Sequence, residues 1–557
     1  MATAQRTSSA STPNDLDDVT TLTEVLRRRA QLTPDKAAFT FRSPRDKGRH
    51  VLTFSDLYQL GGRWAGTLHG RGIGRGHYVV NTLPNCPERV VVDVAIMMCG
   101  AATVNGMCQL KDASDLKTTL RQSGARAVVI DPDVMPVAYT ALLADSTPPG
   151  EDGAVTCDSW PSLKFILPVQ RRTDETDFLT TLRKDSSVDI YHDEQVSGED
   201  VCIVFTTSGT TGFSKLVVFT HGTLMSLCKL VKRPPSTVQY KSSPFGWSGG
   251  YFGQILMGGF TRVLLDARDG TPEDLASTIF RIVKEEGVTS GVVPLHLLPD
   301  LVKLVEEENG GQPLFQTMGV GTQPITQHMV QSASKVARVL VTGYALTEMT
   351  MVSAAFGLRP EVFEEYCTGS VYPGVEVKIV NDEGREVGRE SRGEVLIRSP
   401  YSFRGYLNDP DATRAVFTDD GFFRTGDEGW LDSEGQLYVE GRCGDAIMRG
   451  SYIFYPAWLE ARIRHCPAVR DVMVVGVPDV TLGSELCACV ILESPEVSID
   501  DVKKFVEDDI TADTDDVQSP RPRHYVLFES FPVTSTDKAN RSEVTRMASE
   551  RLQRLDQ

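Results

Sequence analysis

Residues Phe205–Lys215 read FTTSGTTGFSK. Between Thr207 and Gly212 stand four hydroxyl residues (Thr207, Ser208, Thr210, Thr211) and two glycines (Gly209, Gly212), and Lys215 follows. Hydroxyls, together with backbone N–H groups freed by glycine, make a concave donor surface that suits a polyphosphate. The Lys215 ammonium adds positive charge at its rim. A flexible Ser/Thr/Gly linker is the plain alternative. A linker is out of place here, because the stretch lies between the β-branched run Val201–Thr206 and a second apolar run, Leu216–Phe219. A P-loop needs glycine just before its lysine and Ser/Thr just after it. Ser214 and Leu216 hold those positions, so the Walker reading fails.

Two further groups carry chemistry. Tyr344, Thr347 and Glu348 follow the apolar run Val339–Thr342. A strand end bearing an aromatic ring, a hydroxyl and a carboxylate suits nucleotide chemistry in a parallel sheet. The ring can stack on a base, the hydroxyl can donate to phosphate, and the carboxylate can hold Mg2+ as a hard oxygen ligand. A helix start with an acidic cap is the ordinary reading of the same residues. In Phe422-Phe423-Arg424-Thr425-Gly426-Asp427, a tight turn holds a carboxylate that can accept from ribose hydroxyls, although a bare turn is the commoner use of such a triplet.

These groups need a scaffold, and the rest of the chain predicts one. Amphipathic helices are expected from Leu22 to about Ala30 and after Ser55, where Leu57, Leu60, Trp64 and Leu68 share a face. From Tyr78 onward strand-like runs (Tyr78–Leu83, Ala101–Asn105, Ala125–Ile130, Val201–Thr206, Val263–Asp266, Gly291–Val293, Val339–Thr342) alternate with helical ones, such as Glu88–Cys99. That alternation predicts an α/β protein with two helix-covered, largely parallel sheets. Beyond Gly369 short strands between turns predict an antiparallel sheet or small antiparallel barrel that closes a large N-terminal domain, residues 21–440. A smaller α/β domain, 441–557, follows, and residues 1–20, rich in Ser, Thr and Asp, are expected to form a disordered tail.

The chain has 557 residues, enough for two domains with large cores. Its 57 basic against 75 acidic side chains give a net charge of −18, which argues against a nucleic-acid partner. An acidic enzyme can still take anionic substrates if its pocket is locally basic. The eleven cysteines show no C-x-x-C pair or regular frame, so neither a zinc site nor a disulfide scaffold is expected. No apolar run approaches the roughly 20 residues of a membrane span. The N-terminus lacks the apolar core of a signal peptide, and a cytoplasmic location is expected, with mitochondria as the alternative.

The stretch Thr207–Lys215 resembles the phosphate loop of the adenylate-forming enzymes: acyl- and aryl-CoA ligases, luciferases and peptide-synthetase adenylation domains. Their pattern T-S-G-T-T-G-x-P-K is departed from only at Ser214. Gly321-Thr322-Gln323-Pro324 resembles the adenine-side G-G-x-P, and Gly343–Glu348 resembles Y-G-x-T-E with Ala345 in place of glycine. Thr425–Asp427 within FFRTGDEGWLD, Gly441-Arg442-Cys443-Gly444-Asp445, and Pro532–Arg541 (P-x-T-x-x-G-K-x-x-R, with Asp537 for glycine) complete the set in family order. The resemblance spans about Leu22 to Arg546.

It implies that Thr207, Ser208, Gly209, Thr210, Thr211, Gly212 and Lys215 hold the ATP phosphates, with Mg2+ on Glu348 and support from Thr347. Gly321, Thr322, Gln323 and Tyr344 would lie against the adenine, and Asp427 and Arg442 against the ribose. Lys538 would be the adenylation lysine, bridging the acid and the α-phosphate. Rotation of the small domain about Gly444 would then bring the CoA side, Gly450 and Ser451, to the site. The acid pocket should involve Pro244–Gly250, with Trp247 either gating an apolar tunnel or packing the core, alongside Gly249 and His221. The Gly-Trp pair resembles acetyl- and medium-chain ligases more than the Phe-His of many aryl and long-chain ones. The expected function is therefore a medium-chain acyl-CoA ligase that uses ATP, Mg2+ and CoA. An aryl or 4-coumarate-type ligase, a carrier-loading adenylation enzyme and a non-catalytic nucleotide-binding relative are the alternatives.

Overall fold

The structure, a computed structural model, describes residues 16, 18–106, 113–171, 177–185, 187–207, 215–230, 233–321, 325, 327–381, 383–442, 447–454, 456–510, 517–532 and 540–555, without the side chains of 296, 328, 441, 442, 457, 458, 461 and 555. The expected helices form where the apolar spacing placed them. Phe54–Gly70 starts at a capping box: Thr53 Oγ1 accepts from the Asp56 amide at 3.0 Å, and Asp56 Oδ2 accepts from the Thr53 amide at 2.9 Å. The face bearing Leu57, Leu60, Trp64 and Leu68 packs on Pro87–Met98. That second helix is buried at every residue, and its first turn and middle carry Glu88, Arg89 and Asp93 into the interior. Buried charges of this kind must be paired, and these are.

A six-stranded sheet runs in the order Phe165–Pro168, Ala127–Ile130, Tyr78–Asn81, Ala102–Asn105, Val201–Thr207, Lys215–Thr220, parallel except for the last pair. The second sheet has thirteen strands. Its parallel part holds Ala37–Arg42, Thr261–Leu265, Val238–Lys241, Ser290–Val292, Phe315–Gly319 and Ala337–Leu346, with Arg49–Thr53 antiparallel on the edge beside Ala37–Arg42. Its antiparallel part continues through Thr350–Leu358, Cys367–Val371, Gln436–Arg442, Phe423–Leu431, Gly393–Arg398 and Glu376–Val380. Of the two forms expected after Gly369, the antiparallel sheet is found rather than the small barrel: these strands extend the main sheet, because Thr350–Leu358 pairs directly back onto Ala337–Leu346 and hands the register on. Arg171 ties the two sheets: it binds Glu88 at 2.8 Å and Asp266 at 2.7 Å.

The small domain is built on the hairpin Val469–Asp479/Gly483–Leu492, flanked by Ile447–Arg449, Tyr452–Phe454 and His524–Leu527. Of the residues expected to form a tail, the described ones, 16 and 18–20, lie against the large domain. Leu16 and Val19 are buried in the main core and Asp18 pairs with Arg28 at 2.7 Å, since the first helix needs a cover for its apolar start.

His221 opens the helix His221–Leu230, is 1 % exposed, and accepts a hydrogen bond at Nδ1 from the Leu22 amide at 3.3 Å. Burial pushes its pKa down from 6.5 to about 4. A base whose folded pKa is depressed contributes stability that is present above its unfolded pKa and is lost as pH falls through the folded one. The contribution is about 3 kcal/mol, lost between pH 6.5 and 4. Unfolding free energies from urea titrations should fall across that window in the wild type, and the fall should shrink by that amount in His221→Asn. An identical fall in both would remove His221 as its source.

Candidate active site

The site begins at a buried hydrogen-bond chain. Asp93 accepts from Arg89 Nε at 3.1 Å and from Asn81 Nδ2 at 2.8 Å. Arg89 donates on to Asn105 Oδ1 at 3.2 Å and to the Leu83 carbonyl at 2.5 Å. Asn105 Nδ2 donates to Thr206 Oγ1 at 2.8 Å, next to Thr207 at the end of the strand Val201–Thr207. The same asparagine abuts the loop of Trp247, where a Cβ on Gly246 would sit 1.9 Å from Asn105 Oδ1. One side chain therefore fixes both the base of the phosphate stretch and the loop expected to line the acid pocket. Sequence reasoning missed Arg89, Asp93 and Asn105, because polar residues inside apolar runs follow neither helical nor strand periodicity.

Thr207 and Lys215 are paired across adjacent antiparallel strands, so the two residues that flank 208–214 are held side by side. Ser208, Gly209, Thr210, Thr211 and Gly212 lie outside the described residues, as do Thr322 and Gln323. Lys215 Nζ sits 4.7 Å from the centroid of the Tyr406 ring, a cation–π contact. The Tyr406 hydroxyl donates to Glu348 Oε1 at 2.9 Å, and the Phe403 amide donates to the Glu348 carbonyl at 2.7 Å. Residues 404–407 hold this arrangement by pairing with the strand Lys215–Thr220, through Leu407 N to Leu216 O at 2.8 Å and Val218 N to Gly405 O at 3.1 Å. Lys215 comes from one sheet and Glu348 from the other, and Tyr406, also unforeseen from the sequence, brings them together.

No group of three or more His, Cys, Asp or Glu side chains that could hold a metal occurs among the described residues. Glu348 alone fits Mg2+ in the manner that ion favours, with one or two carboxylates and the remaining places filled by water and substrate phosphate.

On the nucleoside side, the Tyr344 hydroxyl is hydrogen-bonded to Asp427 Oδ2. Asp427 is 6 % exposed; its amide donates to Thr425 Oγ1 at 2.9 Å, and Gly426 between them takes φ +68°, which favours glycine. Asp427 pairs in register with Arg442 on the neighbouring strand. Thr347 lies half-buried in the turn beside Glu348, and an added Cβ on Gly321 would meet nothing within 4 Å.

Trp247 is half-buried and meets the small domain, its ring 5.2 Å from that of Tyr452 and steeply inclined to it at 69°. Ser451 precedes Tyr452 in a turn where Gly450 takes φ +58°. Arg449 anchors this turn through a buried pair with Glu485 at 2.8 Å and a bond to the Ser519 carbonyl at 2.9 Å. Gly444 and Lys538 lie outside the described residues. The ends of the Lys538 segment are fixed nonetheless: Asn540 N donates to Pro532 O at 2.7 Å, and Arg541 binds Glu460 at 2.7 Å. Gly249 is exposed and its carbonyl takes the Lys241 ammonium. His221, expected beside these residues, faces the Leu22 amide instead, and its burial under the N-terminal helix gives it a structural place.

The family model of the AMP-binding enzymes matches residues 26–407, and that of the AMP-binding enzyme C-terminal domain matches residues 459–538. The chain belongs to the AMP-binding enzymes. Among relatives of this adenylate-forming family it is similar to the long-chain-fatty-acid–CoA ligase FadD13 of Mycobacterium tuberculosis, 27% identical over 530 residues that cover 92% of this chain and 96% of the relative. Among solved structures the fold resembles the amide bond synthetase McbA of Marinactinospora thermotolerans (TM-score 0.76, 22% identity, covering 95% and 99% of the two chains). It equally resembles the o-succinylbenzoate CoA synthetase MenE of Bacillus subtilis bound to a CoA product analogue (TM-score 0.75, 21% identity, covering 94% and 98%). The same MenE bound to AMP scores 0.61.

Removing the Tyr406 hydroxyl leaves Glu348 without its donor. Tyr406→Phe should raise the Mg2+ concentration needed for half-maximal ATP-dependent pyrophosphate release several-fold, consistent with the loss of a hydrogen bond to a charged group worth about 1.5–3 kcal/mol. An unchanged Mg2+ profile would separate Glu348 from the phosphate chemistry.

Proposed function

We propose that this protein is an ATP-dependent acid–thiol ligase that activates a medium-chain carboxylic acid and passes it to CoA. The observation that carries this reading is the meeting of Lys215 and Glu348, from different sheets, on Tyr406, beside the Tyr344–Asp427 pair. A carboxylate and ATP are both anions, and their approach needs cations and oriented donors. The hairpin ending at Lys215 cradles the β- and γ-phosphates, and Mg2+, where bound, supplies charge neutralisation beside Glu348. Tyr344 and Asp427 hold the nucleoside so that the acid is in line with the α-phosphorus. A carboxylate oxygen attacks that phosphorus, the bond to pyrophosphate breaks, and Lys538 steadies the charge that develops. The CoA thiolate then attacks the acyl carbon, forming the thioester and releasing AMP.

Asn540–Pro532 and Arg541–Glu460 close the segment bearing Lys538 on the small domain, whereas Trp247 meets that domain at Tyr452. The two faces serve the two steps in turn. Medium chain length is supported by Trp247, a large ring among small residues at the expected pocket mouth.

Pyrophosphate release from ATP, screened over carboxylic acids with and without CoA, tests the reading. Acid-dependent release, followed by thioester when CoA is present, is expected; release without thioester would point to a carrier protein as acceptor. Lys538→Ala should lower adenylation roughly 10²–10³-fold while a supplied acyl-adenylate is still converted to thioester. Equal losses in both half-reactions would contradict the division between the two faces.

A further inference from the structure

One face of the thirteen-stranded sheet gathers three cations that, among the described residues, have no counter-charge. Arg262 and Ser290 are both aligned with Gln239, and Val292 with Lys241, on adjacent parallel strands. Side chains alternate along a strand, so Arg262, Gln239, Ser290 and Lys241 share one face. Tyr240 and Val263 point the other way, into the core beneath the helices Leu275–Glu285 and Leu298–Glu308. Arg233, from the segment after the helix His221–Leu230, reaches the same face, where its Nη1 donates to Ser290 Oγ at 3.2 Å. Arg262 is 1 % exposed, lies 4.8 Å from the Phe245 ring centroid, and donates only to the carbonyls of Lys241, Ser243 and Gly250. Lys241 is half-buried, and its ammonium donates to the Gly249 carbonyl.

Among the described residues no carboxylate pairs with Arg233, Lys241 or Arg262, and Arg233 Nε is buried without a partner. Other buried arginines of this protein bring their own acids: Arg42 binds Glu285 and Glu286, and Arg449 binds Glu485. Burial, with Arg262 and Arg233 nearby, pushes Lys241 down to about 7, and burial pushes Arg262 down to about 9. Cations held together in this way are unfavourable until an anion joins them.

Their position says where that anion belongs. Lys241 and Arg262 border the loop Pro244–Gly250 that carries Trp247 and the open Gly249, and Arg233 stands near Lys241 on Ser290. Lys241 lies level with Val292 and Gly319 across the sheet. Gly321 is two residues beyond Gly319 toward the nucleotide end, a rise of about 7 Å along a strand, and Arg262 lies one further two-residue step away from it. The set therefore lies below the level of Gly321, beside the loop expected to line the acid pocket and away from the nucleotide end.

We propose that Lys241 and Arg233, backed by Arg262, receive a second oxyanion on the substrate, so that the acid activated here is a dicarboxylic acid whose distal carboxylate rests on this set. The proposal depends on the acid-ligase reading above and narrows it. The test compares pyrophosphate release with a series of α,ω-dicarboxylic acids and with monocarboxylic acids of equal carbon number. One dicarboxylate should exceed its matching monocarboxylate in kcat/KM by about tenfold or more, as a charge-assisted hydrogen bond would give. That ratio should collapse in Lys241→Met and in Arg233→Met and largely survive in Lys241→Arg. Preference for monocarboxylates in the wild type, or a ratio that neither methionine variant alters, would overturn the inference while leaving the ligase reading in place. Absence of pyrophosphate release with every acid would overturn both. The wild-type ratio alone decides the matter should a variant fail to fold.

Discussion

Asn105 is the point on which both halves of the site rest. Its amide nitrogen holds Thr206, its oxygen takes Arg89, and Gly246 closes on it so tightly that no side chain fits between. Because Arg89 is itself locked to Asp93, the asparagine has no freedom to follow either loop. The hairpin that ends at Lys215 and the loop that carries Trp247 are thereby held at a fixed spacing. Chemistry that joins two anions in line depends on such spacing, since misplacement by about 1 Å can cost 10²-fold in rate. Breaking a buried charged pair of the Arg89–Asp93 kind typically costs about 3–5 kcal/mol. The helix Pro87–Met98 therefore does more than fill the space between the sheets.

The charge of the protein is divided between outside and inside. With a net charge of −18 the surface is acidic, yet the interior near the site gathers Arg89, Arg233, Lys241 and Arg262, and Lys215 stands at its edge. A basic interior in an acidic body confines anions to one place. Asp93 is taken up by Arg89, whereas Glu348 and Asp427 are each held by a tyrosine hydroxyl, Tyr406 and Tyr344 respectively. Those tyrosines orient the carboxylates without cancelling their charge, which leaves Glu348 able to meet a metal-bound phosphate and Asp427 able to meet a ribose.

Much of this was legible in the sequence. Runs such as Val201–Thr206 and Val339–Thr342 became strands, with Thr207, Tyr344 and Glu348 at or just beyond their ends, where a parallel sheet gathers its strand ends. Local pattern does not specify long-range partners. Tyr406 lies 58 residues from Glu348, and Asn105 lies 101 residues from Thr206, so neither contact leaves a periodic trace. The antiparallel strands after Gly369 were legible as strands, but whether they closed into a small barrel or joined a sheet was not, since strand spacing does not reveal which edge a strand joins. Leu16 and Val19 sat inside a polar tail whose composition hid two anchoring residues. His221 followed the phosphate stretch as a pocket residue would, but burial beneath the first helix gave it another use.

The most direct test of this account is the steady-state behaviour of Asn105→Ala in ATP-dependent pyrophosphate release, with ATP and the acid varied separately. Loss of the shared anchor should raise KM for both substrates together and lower kcat by about tenfold or more, in keeping with the sensitivity of in-line chemistry to small displacements. A variant that is merely less stable, with both KM values and kcat unchanged, would contradict the claim that one buried side chain sets the geometry of the site.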